Sequence, residues 1–148
     1  IMLVIGNVYK YFNDSKENKS YIVNKIKNYN FEDINSGINE IRNNGLLYIS
    51  YIGNKDIYSF EKDTYTILKN NNLTNKFVYI DCTKVVSNGK VDGLNDKLNI
   101  ITDQDIILPT VIYYKDGKPV DYIDSTNHIL RSDRLLQLIE KWEIDKND

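Results

Sequence analysis

Leu108-Pro109-Thr110-Val111-Ile112-Tyr113-Tyr114-Lys115-Asp116-Gly117-Lys118-Pro119-Val120 decides how this chain folds. Two runs rich in β-branched and aromatic residues flank an Asp-Gly pair. That pairing is a strong short-range signal for a β-hairpin, because the tight turn needs residues that tolerate positive φ. The second strand, Lys118 to Ile123, contains Pro119, which has no amide to give to a ladder. It is therefore expected at a sheet edge or with that position turned outward.

Upstream of the hairpin, Leu46 to Ile52 is a nearly continuous apolar run, as expected of a strand covered on both faces. Lys76 to Asp81 is a second central strand. Between them, Asp56 to Asn70 carries Tyr58, Phe60, Tyr65, Ile67 and Leu68 in roughly helical phase and ends in Asn residues. Strand, helix-length crossover and strand predict a parallel, adjacent pair with a right-handed connection. Phe31, Ile34, Ile38 and Ile41 form one helical stripe, with Asn30 as the expected cap and Asn43-Asn44-Gly45 as the stop. Tyr21 to Tyr29 reads as a short strand, Val85 to Asp92 as a polar loop, and Leu94 to Leu98 as a short helix. A last amphipathic helix, Asp133 to Trp142, places Leu135, Leu136, Ile139 and Trp142 on one side. There is no internal repeat and no second-domain linker.

With 148 residues, 41% hydrophobic and 11% aromatic, the chain buries one substantial core. The net charge is -2, with both signs interspersed, so no concentrated positive field exists to neutralise phosphates and nucleic acid is not an expected partner. Cys82 is the only cysteine and His128 the only histidine. This excludes an intramolecular disulfide and any metal site built on paired thiolates or several imidazoles, and no cofactor is expected. Cys82 ends the second central strand, where it reads as a buried small hydrophobe. The competing reading, a reactive thiol, needs exposure and a lowered pKa, and no cationic cluster in the sequence supplies one. Asp103 and Asp105 read as solvated loop acids rather than an acid/base pair. His128, with no nucleophile beside it, reads as a surface loop residue.

At the start of the chain, Ile1 to Ile5 is apolar but far shorter than the ~20 residues of a membrane span. It reads either as the trailing end of a trimmed anchor or as an N-terminal strand or loose end. In the first reading, residues 1–20 are an anchor remnant plus the polar tether Asn13 to Ser20, and residues 21–148 are the domain.

The order of elements from Phe31 to Trp142 resembles the thioredoxin fold: an α/β three-layer sandwich with a central mixed sheet flanked by helices. Leu108 to Val120 looks like the cis-proline strand and closing hairpin of that fold, which implies a cis bond before Pro109. Tyr51-Ile52-Gly53-Asn54-Lys55-Asp56 is similar to the lead-in of the bacteriocin transport accessory branch, where Cys-Pro-x-Cys would follow. Carried over residue by residue, Ile57 stands in place of the nucleophilic Cys, Tyr58 of Pro, Ser59 of the variable residue, and Phe60 of the resolving Cys. Disulfide exchange needs a thiolate to attack sulfur and a second thiol to release the mixed disulfide, so no catalytic residue is expected here. The buried acid of such dithiol sites would fall near Tyr51 and is absent.

The resemblance also implies a peptide groove at Ile57, Tyr58, Leu108 and Pro109, working by strand addition beside the cis-proline. In a second reading, Ile57 and Phe60 only fill core space left by the dithiol. The implied function is that of a redox-inactive domain binding a protein or peptide partner. Such a domain would be tethered outside the membrane, or secreted, in a bacterium, in bacteriocin production, export or self-protection. Two alternatives stand beside it: a single-thiol oxidoreductase acting through Cys82, and a structural component of a membrane assembly.

Overall fold

The computed structural model describes residues 18–145. The strands are β1 (Lys27–Asn30), β2 (Asn44–Ser50), β3 (Phe77–Asp81), β4 (Thr110–Lys115) and β5 (Lys118–Ile123). The helices are α1 (Ile34–Ile41), α2 (Lys55–Asn70), α3 (Leu94–Leu98) and α4 (Ser132–Trp142), with 3-10 turns at Phe31–Asp33 and Thr74–Lys76. The five strands form one mixed sheet in the order β1-β3-β2-β4-β5. β1 and β2 both run parallel to β3, with Leu46 opposite Phe77 and Tyr48 opposite Tyr79. β4 returns antiparallel to β2, with Tyr48 opposite Val111, and β5 closes the hairpin as an edge strand.

Every residue of β2 is buried, because layers cover both faces of this central strand. The period-2 alternation of strand side chains divides the core in two. Leu46, Tyr48, Phe77, Tyr79, Val111 and Tyr113 pack with Phe60 and Leu68 of α2 and with Leu135, Leu138 and Ile139 of α4. Their neighbours Leu47, Ile49, Val78, Ile80, Ile112 and Tyr114 pack with Ile34, Ile38 and Ile41 of α1 and with Leu94 and Leu98 of α3. The result is the expected three-layer α/β sandwich.

The hairpin turn has φ of 54° at Asp116 and 86° at Gly117, the double positive value that Asp-Gly supplies. Its amides are not left to water: Asp116 N–H donates to Asn43 O (3.0 Å) and Gly117 N–H to Arg42 O (2.9 Å). Pro119 sits opposite Tyr114 beside an irregularity in the β4–β5 ladder, which is where an edge strand tolerates a missing donor.

Several elements depart from the sequence reading. Of the expected strand Tyr21 to Tyr29 only the last three residues are extended, in a strand that runs on as Lys27–Asn30. Ile22 and Ile26 instead bend inward on a single turn, with Ile26 N–H on Ile22 O at 3.2 Å, so that both reach the core. Asn30 precedes the 3-10 turn but makes no side-chain cap bond. Asn44 and Gly45, expected to stop α1, already belong to β2. In α4 the buried face carries Leu138, whereas Leu136 is 37% exposed, since helical spacing sets 135, 138, 139 and 142 on one side.

The short link from α1 to β2 depends on Gly45. A Cβ there would lie 2.6 Å from Ile41 Cβ and 3.0 Å from the Lys76 carbonyl oxygen, and neither atom can rotate away. Gly45→Ala is therefore expected to cost about 2 kcal/mol through overpacking, and a thermal melt should show Tm lowered by roughly 4–8 °C. An unchanged melt would refute the close approach.

Candidate functional site

The N-terminus of α2 is where a dithiol would stand in the fold this chain resembles. Asn54 is its cap: Asn54 Oδ1 accepts from Asp56 N–H at 2.7 Å and from Ile57 N–H at 3.3 Å. Free helix-end amides would lower a thiol pKa at this place, but these two are already satisfied. Ile57 is only 2% exposed and Phe60 4%. Phe60 lies against Tyr48, ring centroids 5.7 Å apart. Tyr58 is half-buried under the edge of Tyr21 at 5.6 Å, and Ser59 alone of the four is exposed.

The strand opening at Pro109 carries the expected cis bond after Leu108. Its backbone is already engaged on both sides. Leu108 N–H donates to Gly89 O at 2.7 Å, which commits the amide that an added strand would need. On the other side Ser125 N–H donates to Ile107 O (3.0 Å), Asp124 Oδ2 accepts from Ile107 N–H (3.2 Å), and Ser125 Oγ donates to Pro109 O (2.8 Å). Gly89 reaches this place at φ +74°, a backbone conformation that side chains disfavour, and a Cβ there would lie 3.2 Å from Ile107 Cγ2. Leu108 and Pro109 are both buried.

The open cleft lies one step away. About 730 Å³ in volume, it runs between one face of α2, at Asp56, Ser59, Phe60 and Asp63, and the segment His128 to Asp133 that leads into α4. Ile57, Tyr58, Leu108 and Pro109 do not line it; Ser59 and Phe60 do. Ser125 couples the two places, since its Oγ also accepts from Leu130 N–H at 3.0 Å. The cleft wall and the cis-proline carbonyl therefore hang on one hydroxyl. His128 is exposed, with Nδ1 2.9 Å from Ile129 O, and it forms part of the wall.

No acid stands at half-buried Tyr51, but the domain does hold a buried carboxylate that the sequence reading missed. Glu61, one residue after Phe60, is 1% exposed. Its Oε1 accepts from the Ser20 hydroxyl, from Tyr21 N–H (2.9 Å) and from Ile22 N–H (3.4 Å), while Oε2 accepts from the Tyr48 hydroxyl (2.7 Å). Burial pushes the Glu61 carboxyl above its ordinary value, and these hydrogen bonds oppose the push without cancelling it. Ser20, expected in the tether, is thereby drawn into the domain. The signal was present: Ile57, Phe60, Glu61, Thr64 and Leu68 are spaced as one helical face, and those are the buried residues of α2.

Cys82 is 0% exposed, and its N–H donates to Ser50 O at 2.8 Å. Burial, then the neighbouring Asp81 charge, pushes its thiol up to about 12. Asp103 and Asp105 are exposed, and Asp105 pairs with Lys90 at 3.4 Å on the surface. Among the described residues, no group of three His, Cys, Asp or Glu side chains is placed to hold a metal ion, and no helix is long and apolar enough to cross a membrane. Ile1 to Ile5 and most of the expected tether lie outside the described residues.

No family model matches the sequence, and no curated protein matches it. Solved structures do match by shape. Mitochondrial thioredoxin 3 of Saccharomyces cerevisiae, in its oxidised form, superposes with a TM-score of 0.52 at 13% identity, over 80% of this chain and 96% of that one. Thioredoxin of Trypanosoma brucei brucei gives 0.53 at 13% identity, over 80% and 91%. Oxidised thioredoxin of Plasmodium falciparum gives 0.51 at 20% identity, over 80% and 98%. At such identities the likeness is one of fold. The chain has a thioredoxin-like fold, and its single cysteine cannot make the paired thiols of a Cys-x-x-Cys site.

Proposed function

We propose that this chain is a redox-inactive thioredoxin-like domain that binds an extended segment of a protein or peptide partner in the cleft between α2 and residues 128–133. The observation that carries this reading is the cleft itself. It opens beside the first turns of α2, is floored by Phe60, Ile129 and Leu130, and has no sulfur within its walls. Binding needs only shape, apolar contact and polar rim groups, all of which survive loss of the thiols. The likeness of Tyr51-Ile52-Gly53 to the bacteriocin transport accessory lead-in supports placing the domain outside a bacterial membrane, with the residues ahead of it as a tether. The same likeness supports a role in bacteriocin production, export or self-protection.

Two measurements test this. In an insulin reduction assay, wild type and Cys82→Ser are both expected to give no turnover above the protein-free control; turnover by wild type that Cys82→Ser abolishes would favour the enzyme reading. Peptides selected from a displayed random library on wild type are expected to lose binding to Ser59→Trp, which fills the cleft from an exposed helix position. Selected peptides that bind Ser59→Trp unchanged would place recognition elsewhere.

A further inference from the structure

We infer that the cleft selects a cationic segment: one that carries Lys or Arg beside an apolar side chain. This rests on the cleft reading above and adds the chemistry of the occupant. Along the α2 wall stand Asp56 and Asp63, seven residues and so about 10 Å apart on one helix face. Among the described residues, neither carboxylate has an ion-pair partner. Across the cleft Asp133 faces Arg131 at 3.5 Å, but with side chains 60% and 64% exposed that pair is screened by water and easily rearranged. Three carboxylates thus meet one guanidinium, an excess equal to the net charge of the whole chain, -2.

The usual counter-argument is that a helix N-terminus draws anions. At α2 it is met by Asn54, whose side chain occupies the Asp56 and Ile57 amides; at α4, where the N-cap Arg131 makes no side-chain cap bond, the first-turn carboxylate of Asp133 offsets the helix end. Lys55 and Lys62, although adjacent in sequence to the two acids, do not line the cleft. Phe60, Ile129 and Leu130 supply an apolar floor between the charged walls. A basic residue flanked by apolar ones satisfies both, with the charge at the rim and the apolar side chain below. The span from Asp56 to Asp63 corresponds to about three residues of extended chain at ~3.3 Å each.

Three short fluorescent peptides test the inference by anisotropy at low and at physiological salt: alternating Lys and Leu, Glu and Leu, and Ser and Leu. The proteins are wild type, the double variant Asp56→Asn/Asp63→Asn, and Ser59→Trp, each checked for folding by circular dichroism. Wild type is expected to bind the Lys–Leu peptide at least about tenfold tighter than the other two, with the advantage reduced by salt. The double variant should lose that advantage, and Ser59→Trp should bind none of the three. Equal affinity for all peptides, or a Lys–Leu advantage that survives in the double variant, overturns the charge inference. The cleft reading still stands in that case if Ser59→Trp abolishes binding. Binding of no peptide by wild type, or binding that Ser59→Trp leaves intact, overturns both.

Discussion

Glu61→Ala is expected to lower the unfolding free energy by about 3 kcal/mol or more, since it strands several buried donors at once. The hydroxyls of Ser20 and Tyr48 and the amides of Tyr21 and Ile22 all end on this one carboxylate. Ile22, 0% exposed in the core beyond it, would lose its 3.4 Å bond to the carboxylate and keep only the one its amide donates to Ser20 Oγ at 3.2 Å. Glu61→Gln keeps an acceptor toward Ser20 and the two amides, and the Tyr48 oxygen can accept from its new amide. Its cost is expected to be on the order of 1 kcal/mol. Urea unfolding of the three proteins gives the ranking directly, and an alanine variant as stable as wild type would show that the carboxylate holds nothing.

The same group makes a signed pH prediction. Its carboxyl is raised above the ordinary 4.5, so the folded state binds the proton more readily than the unfolded state. The contribution is fully present below 4.5 and is lost as pH rises through the raised native value. Wild type should therefore lose stability relative to Glu61→Gln across that window. Other acids run the opposite way: Glu40, held down by its hydrogen bond from Lys27, favours the fold above its ordinary value and loses that contribution as pH falls. For this reason the difference between the two proteins, not the wild-type curve alone, isolates Glu61. A difference that moves in favour of wild type as pH rises would refute the assignment.

The second large effect is kinetic. Cys82 is expected to react with a thiol reagent at pH 8 at least about a thousandfold slower in the folded protein than in urea. A thiol pushed up to about 12 holds roughly three orders of magnitude less thiolate at that pH than one at about 8.5. Burial at 0% exposure adds a barrier of access to the deficit of thiolate. Labelling should therefore track unfolding. Fast labelling of the native protein, with a pH midpoint well below 8.5, would revive the single-thiol enzyme that the sequence leaves open.

What the sequence disclosed, and what it hid, follows from the range of the interactions involved. Asp116-Gly117 and the apolar runs of β2 and β3 carry their structure locally, in turn chemistry and in uninterrupted β-branched and aromatic residues. Hence the hairpin, the parallel pair and the layering were legible. The buried face of α2 was missed because Glu61 and Thr64, polar by type, occupy buried positions, while Tyr65 and Ile67, which the apolar phase included, are only half-buried. Ile57 and Phe60 could be placed by resemblance, but their burial depends on how α2 settles over Tyr48. The bond from Leu108 to Gly89 and the approach of residues 128–133 to α2 join segments far apart in sequence. No local pattern encodes either, so nothing in the sequence marks the hollow between α2 and residues 128–133.

The grip of Glu61 on Ser20, Tyr21 and Ile22 has a mechanical meaning. Tension applied to the polypeptide ahead of Ser20 reaches Glu61 before it reaches the edge strand β1. It enters at these three residues and passes through one side chain into the first turns of α2 and, by way of Tyr48, into the central strand. A pull from that end thus meets the middle of the domain first, close beside the cleft.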